Sequence, residues 1–260
     1  MTIFTPMRRF TLLLCVLALT CAAPAAAVVG GSPDTSNRYP YVGIATNGQT
    51  VCSGSLVSPT VFVTAAHCFA GGPSVGPARD GHQVIAVGFS AVPTKLTLRG
   101  VLYVDPAYCA DCGRGGSPQN DLAVIVLDTP QPGPYASLPQ LGAADALGNS
   151  SSVTLVGYSE GIAKGGGPPA PITKYQRSYL TIGVGNAGSS VSDSFLKLDS
   201  ASSTGGGACF GDSGGPDLLP GTSTIVAITS FGSNDVCKGP SYAYRLDTAH
   251  ALDFLAGFLG

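Results

Sequence analysis

The chain has 260 residues, of which 44% are hydrophobic and only 11% charged, against a usual charged share of about 25%. Thirteen basic and 15 acidic side chains leave a net charge of −2, which excludes a polybasic nucleic-acid binder and gives no electrostatic attraction to an anionic membrane surface. Gly (36) and Pro (20) are abundant, yet the mean hydropathy of +0.29 supplies the apolar surface of a core and argues against a disordered polymer.

Residues 1–27 read as a secretory leader. Arg8 and Arg9 give a positive start, residues 10–19 an uncharged apolar run, and Ala25-Ala26-Ala27 a small-residue cleavage site. The run is shorter than the roughly 20 residues of a membrane-spanning helix, so no stable membrane association is expected. Lipidation at Cys21 fits poorly with the bulk of Thr20 before it. The mature chain is expected to be secreted, extracellular, and to begin at Val28.

Short runs rich in Val, Ile, Thr, Leu or Tyr follow at residues 41–45, 55–57, 61–64, 84–87, 96–104, 122–127, 153–156, 176–182, 195–198 and 224–229. They predict strands. Breakers separate them, among them Gly71-Gly72-Pro73 and the Gly- and Pro-rich stretches at 113–118, 130–134 and 165–171. Ala251, Leu252, Leu255, Phe258 and Leu259 recur at three- and four-residue spacing, which predicts one C-terminal helix over about 247–259 with Asp247 as its N-cap. About ten strands and one helix predict an all-β protein of two barrels or sandwiches, with the turn-rich 130–148 stretch as the crossover.

Of eight cysteines, Cys15 and Cys21 leave with the leader. Cys52, Cys68, Cys109, Cys112, Cys209 and Cys237 remain. An even number in an oxidising compartment predicts three disulfides, and six cysteines allow 15 pairings. Cys109-x-x-Cys112 reads as a loop-closing disulfide or as a redox or zinc motif; a second CxxC or a nearby His, which zinc would need, is absent.

Three strings carry chemistry: Thr64-Ala65-Ala66-His67-Cys68, Asn120-Asp121-Leu122-Ala123-Val124, and Gly211-Asp212-Ser213-Gly214-Gly215-Pro216. A Ser hydroxyl is a weak nucleophile at neutral pH and needs an adjacent base. His is the suitable base, and a buried carboxylate can fix its tautomer and steady its cation. Each string alone has a bland reading: a core or surface histidine, a turn carboxylate, a glycine-rich turn.

Together, in the order His67, Asp121, Ser213 and with Val28-Val29-Gly30-Gly31 ahead of them, the strings resemble the chymotrypsin-like (trypsin-fold) serine endopeptidase family over essentially residues 28–260. The resemblance implies two six-stranded antiparallel β-barrels, about 28–135 and 140–245, with a C-terminal α-helix. It implies a catalytic triad of His67, Asp121 and Ser213, an oxyanion hole from the N–H groups of Gly211 and Ser213, and a buried pair between the Val28 α-ammonium and Asp212. Ser230, Phe231 and Gly232 would pair with extended substrate backbone. It also pairs Cys52 with Cys68 and Cys209 with Cys237, whereas Cys109–Cys112 rests on proximity alone. Protein or peptide substrates are the implied partners and protein inhibitors are admitted; no nucleic acid, cofactor or metal is expected, and a monomer is.

The chain also departs from the family pattern. It has no Trp: Gly157-Tyr158-Ser159 and Phe231 stand where the family usually has Trp. Asp217 stands where an apolar strand residue is usual. No acidic cluster follows His67, so a calcium loop is not expected. Gly207 stands at the base of the specificity pocket in place of an acid, with Gly232 and Ser241 as wall residues. Cleavage after large apolar residues is expected, unless Asp235 points inward and favours basic ones. Two other function classes remain, a binding protein on an inactive scaffold and an esterase. Asn149-Ser150-Ser151 is a glycosylation sequon. Between Arg9 and Val28 there is no Lys or Arg, so removal of the leader is expected to free the Val28 ammonium without a separate tryptic activation; a short propeptide starting near Ala22 or Pro24 is the alternative.

Overall fold

The computed structural model describes residues 1, 28–159, 171–185, 192–199, 206–234 and 237–260; the leader beyond Met1, the 165–171 breaker up to residue 170, and Asp235 lie outside the described residues. Among the described residues there are thirteen strands, twelve of which form two closed barrels. A two-residue strand β1 (Ser32–Pro33) comes first. The first barrel follows, made of β2 (Val42–Thr46), β3 (Val51–Leu56), β4 (Val61–Thr64), β5 (Val84–Gly88), β6 (Leu98–Val104) and β7 (Ala123–Leu127), closed in the order β2-β3-β4-β7-β6-β5. The second holds β8 (Ser152–Ser159), β9 (Gln176–Gly185), β10 (Phe195–Leu198), β11 (Pro216–Leu218), β12 (Ile225–Gly232) and β13 (Ser241–Arg245), in the order β9-β10-β13-β12-β11-β8. Pairing of β8 with β9 closes it, and β1 adds to β9. Every neighbouring pair is antiparallel. Closure removes the unpaired edges that such short strands would otherwise expose.

All ten predicted strands lie on observed ones, and 61–64 and 195–198 agree to the residue. Three strands escaped the pattern. β1 is only two residues long, β11 follows directly on the glycine turn, and in β13 (SYAYR) Ser, Ala and Arg dilute the β signal of the tyrosines. The 130–148 stretch does join the barrels: the Ala136 N–H donates to Leu56 O of β3, and Ser137 bridges Thr224 just ahead of β12.

The C-terminal helix α1 spans Ala249–Ala256, shorter than expected, and its N-cap is Thr248, whose hydroxyl accepts from Ala251 N. Asp247 is not the cap, because its carboxylate is already committed. It accepts from Ala144 N at 2.7 Å and from Arg245 Nε and Nη2. α1 straps the end of the chain onto the first barrel. His250 Nε2 lies 2.8 Å from buried Asp105 Oδ2, Phe258 packs on Tyr103 with ring centroids 5.3 Å apart, and Ala251 and Leu255 enter the apolar cluster that runs from the first barrel into the second.

The seam between the barrels contains a charge. Arg177 on β9 is fully buried and pairs through Nε with Asp34 Oδ2 at 2.8 Å. Its other nitrogens donate to Val42 O (2.9 Å) and Phe89 O (3.0 Å) of the first barrel, to Tyr158 Oη (3.2 Å) of the second, and to Asn37 Oδ1. Asp34 also accepts from Arg38 N and Tyr39 N. Burial of both charges is tolerated because each is paired and hydrogen-bonded. Arg177→Ala leaves Asp34 buried without its counter-ion and should lower the unfolding free energy by about 3–5 kcal/mol, read from urea unfolding in a Ser213→Ala background; a change below about 1 kcal/mol would show that the pair contributes little.

Candidate active site

The seam is also where the three sequence strings meet. His67 sits in a 3-10 turn, Ala66–Cys68, directly after the fully buried strand β4. The Cys52–Cys68 disulfide ties this turn back to β3. Asp121 lies two residues before β7, at a turn that Asn120 makes at φ 48°, a left-handed conformation that Asn tolerates better than most residues. Since β4 and β7 are hydrogen-bonded neighbours, the register of the barrel brings the two side chains together.

Asp121 is completely buried and saturated with donors. His67 Nδ1 lies 2.7 Å from its Oδ2, His67 N donates to Oδ1 at 2.9 Å, and Ser230 Oγ on β12 of the other barrel donates to Oδ2. Burial by itself would raise the Asp121 carboxyl, but the His67 charge and the donors from His67 and Ser230 outweigh it and hold the group below its ordinary value. An ionised Asp121 accepts only, so Nδ1 carries the imidazole proton and Nε2 keeps a lone pair. Burial pulls the His67 pKa down, yet the Asp121 charge and hydrogen bond prevail and raise it above its ordinary 6.5. The ring is not sealed in: 31% of the side-chain surface remains open.

Ser213 approaches from the second barrel. Cys68 Sγ lies 3.8 Å from His67 Nε2 and 4.0 Å from Ser213 O, and Ser53 N donates to Ser213 O at 2.8 Å, so the serine turn is docked on the histidine turn. The turn is held by Asp212 N to Cys209 O (3.0 Å), Gly215 N to Asp212 O (2.9 Å) and Gly214 N to Thr229 O (2.7 Å). Gly211 has φ +98°, and a Cβ there would meet Tyr158 O at 2.3 Å, so only glycine fits. Among the described residues, the N–H groups of Gly211 and Ser213 have no hydrogen-bond acceptor.

Asp212 is buried with Oδ2 accepting from Cys209 N at 2.9 Å, while Oδ1 has no partner. Burial pushes its carboxyl up to about 8, with the Cys209 N–H opposing. Val28 lies buried in the apolar cluster of the second barrel, and Val29 exchanges backbone hydrogen bonds with Gly207. No hydrogen bond joins Val28 to Asp212 in this chain, where residue 27 still precedes Val28. Asp217 is also buried, on β11, with Thr229 Oγ1 donating to its Oδ2 at 3.4 Å and its Oδ1 unpaired; burial and the nearby Asp212 drive its carboxyl well above the ordinary value.

Among the described residues, an added Cβ at Gly207 would find nothing closer than Gly239 O and Ile182 Cδ1, both at 3.9 Å. Gly232 and Ser241 are register partners on β12 and β13, and the buried Ser241 Oγ has no hydrogen-bond partner. Phe231 stacks on Tyr242 at 4.8 Å between centroids and meets Phe195 edge-on. Cys209–Cys237 and Cys109–Cys112 complete the three disulfides. The clusters Cys52/His67/Cys68 and Cys109/Asp111/Cys112 gather metal-ligating atoms, but their sulfurs are in disulfides and offer no thiolate. The Ser230–Asp121 bond escaped the sequence reading, because Ser230 stood there only as a substrate-pairing residue and no local string links positions 109 residues apart.

The sequence matches the family model described as Trypsin over residues 28–254. Among characterised proteins it is 28% identical over 216 residues to a serine protease, SP24D, of Anopheles gambiae, covering 79% of this chain and 72% of that one. It is 29% identical over 262 residues to a trypsin of Phaedon cochleariae, covering 91% and 92%. A trypsin of Saccharopolyspora erythraea is 26% identical over 227 residues, with 84% and 92% covered. Among solved structures, a collagenase superposes with a TM-score of 0.69 at 20% identity, covering 90% of this chain and 99% of that one, which shows the shared fold.

The electrostatics of the His67–Asp121 pair generate a direct expectation. The raised pKa means that His67 keeps its proton to higher pH than a free imidazole, so its titration, followed by proton NMR of the ring, should be centred above about 6.5. Asp121→Asn removes the opposing charge and should move the midpoint down; an unchanged midpoint would show that Asp121 does not set it.

Proposed function

The chain belongs to the trypsin family of serine endopeptidases, hydrolases whose substrates are peptides and proteins, and on that premise we propose that His67, Asp121 and Ser213 carry the reaction. The observation that carries the reading is the 2.7 Å contact of His67 Nδ1 with a buried, donor-saturated Asp121, beside a serine turn docked on Cys68 and Ser53. Ser213 Oγ attacks the scissile carbonyl carbon and its proton passes to His67 Nε2. The carbonyl oxygen becomes an oxyanion held by the N–H groups of Gly211 and Ser213. Collapse of this intermediate breaks the C–N bond, and His67 returns the proton to the leaving amine. Water then attacks the acyl-enzyme, with His67 again accepting the proton, and releases the carboxylic acid and Ser213. Asp121 stays ionised throughout and stabilises the imidazolium. Because His67 must be neutral to act as base, the rate should rise with pH through its raised titration.

We further propose that activation follows leader removal. The charge pattern of residues 1–27 supports secretion, and among the described residues no helix is long and apolar enough to cross a membrane. A cut after Ala27 turns the Val28 amide into an ammonium next to the buried second barrel. That cation would convert Asp212 from a buried acid with an unpaired oxygen into half of an ion pair, and so order the turn that bears Gly211 and Ser213. An active-site fluorophosphonate should label protein that starts at Val28, label weakly a form with one extra residue ahead of Val28, and leave Ser213→Ala unlabelled. Ser213→Ala should also lose about 10⁶-fold in turnover. Labelling that persists in Ser213→Ala overturns the nucleophile; equal labelling of the extended form overturns the activation pair.

For specificity we propose large apolar side chains at the cleavage position. Gly207 carries no charge of its own and, among the described residues, has Ile182 and the Gly239 carbonyl nearest to it; a Lys or Arg side chain lacking an acidic partner there would be desolvated at a cost of several kcal/mol by order of magnitude. Cleavage of a peptide library should therefore follow Phe, Tyr, Leu and Met more than Lys or Arg. A profile dominated by Lys and Arg would place an acid in the pocket and reverse the assignment.

A further inference from the structure

We propose that Ser53 is a positioning residue for this reaction: its hydroxyl, contributed by the first barrel, clamps the Gly211 carbonyl and thereby fixes the oxyanion turn of the second. The inference rests on the reading of Gly211 and Ser213 given above. Ser53 lies on β3, next to Cys52, and is fully buried. All of its polar atoms are engaged. Its N–H donates to Ser213 O at 2.8 Å, its Oγ donates to Gly211 O at 2.7 Å and accepts from Tyr158 N at 2.8 Å, and its O accepts from Thr64 Oγ1 at 2.7 Å. One residue thus holds both ends of the Gly211–Ser213 segment and the strand behind it, across 158 and 105 positions of sequence.

Gly211 needs such a clamp. Its φ of +98° is accessible because it has no Cβ, and for the same reason no side chain limits rotation of the peptide that joins it to Asp212. The direction of the Gly211 carbonyl sets ψ at that residue. With the Ser213 carbonyl also held, the two N–H groups that would receive the oxyanion keep a fixed relation. An oxyanion site is effective when its donors are oriented before charge develops. Removing the Ser53 hydroxyl leaves Gly211 O without its donor and Tyr158 N without its acceptor, both in the buried seam, which favours reorientation of the turn.

Ser53→Ala, Ser53→Thr and wild type, each starting at Val28, separate this role from simple packing. In Ser53→Ala, kcat on a peptide substrate should fall about tenfold with KM within about twofold, since the clamp acts on the transition state. Affinity for a peptidyl trifluoromethyl ketone, whose hemiketal oxyanion needs the same donors, should fall by a similar factor. Ser53→Thr, which keeps the hydroxyl, should stay near wild type in both. A merely structural serine would lower Tm and leave the ratio of ketone affinity to KM unmoved, and that result overturns the proposal. If Ser53→Ala does not fold, Ser53→Thr decides, and loss of ketone affinity there counts against the clamp. A wild type that neither reacts with fluorophosphonate nor cleaves peptides would instead remove the proposed reaction itself.

Discussion

The buried ion pair of Arg177 and Asp34 sets the relation on which the rest of the molecule depends. His67 and Asp121 belong to the first barrel; Ser213, Ser230 and the glycine turn belong to the second. On the proposed assignment neither barrel holds a complete site, so the chemistry requires a seam that fixes two rigid bodies to within a fraction of an ångström. Apolar packing is non-directional and cannot do this alone. Arg177 adds direction: a planar guanidinium whose donors reach the amino-terminal segment, two carbonyls of the first barrel and a tyrosine of the second. Ser53 repeats the arrangement at the site itself with a neutral group, and Ser230 does so from the opposite side by reaching Asp121.

Charge is distributed unequally across this seam. Asp121 is surrounded by donors and is held ionised, whereas Asp212 and Asp217, a few residues apart in the second barrel, each retain an unpaired oxygen and are driven toward the neutral form. Two carboxyls close together in a dry interior disfavour each other's ionisation. Under the proposed activation, one ammonium would settle the account of Asp212 and leave Asp217 protonated, as a hydrogen-bonding acid against Thr229. The two environments push Asp121 toward the charged form in the first barrel and Asp212 and Asp217 toward the neutral form in the second.

The fold was legible in the sequence where strands are short, apolar and bounded by turn formers, as at 61–64 and 195–198. It was illegible where length or composition fell below the pattern, as in β1, β11 and β13. The helix was found but its cap was misread, because Asp247 and Thr248 are both good caps and the choice lay with partners that commit Asp247, neighbouring Arg245 and Ala144, which is 103 positions away. The strings around His67, Asp121 and Ser213 announced themselves through contiguous residues. Ser53, Arg177 and the Ser230 bond did not, because each acts across more than a hundred positions and is an ordinary residue in its own neighbourhood. Asp217 was visible as an anomaly, and only its burial and its Thr229 partner gave it a physical setting.

The strap formed by α1 gives the order of the chain a meaning in time. During synthesis the first barrel emerges before the second, but His250 must reach Asp105, and Phe258 must reach Tyr103, before the surface of the first barrel is complete. An element that lies beyond the second barrel in sequence thus packs on the domain made first. Until it docks, the body that carries His67 and Asp121 lacks a part of its own packing. A nascent chain therefore holds these two side chains in an unconsolidated barrel until the second barrel and α1 have both been made.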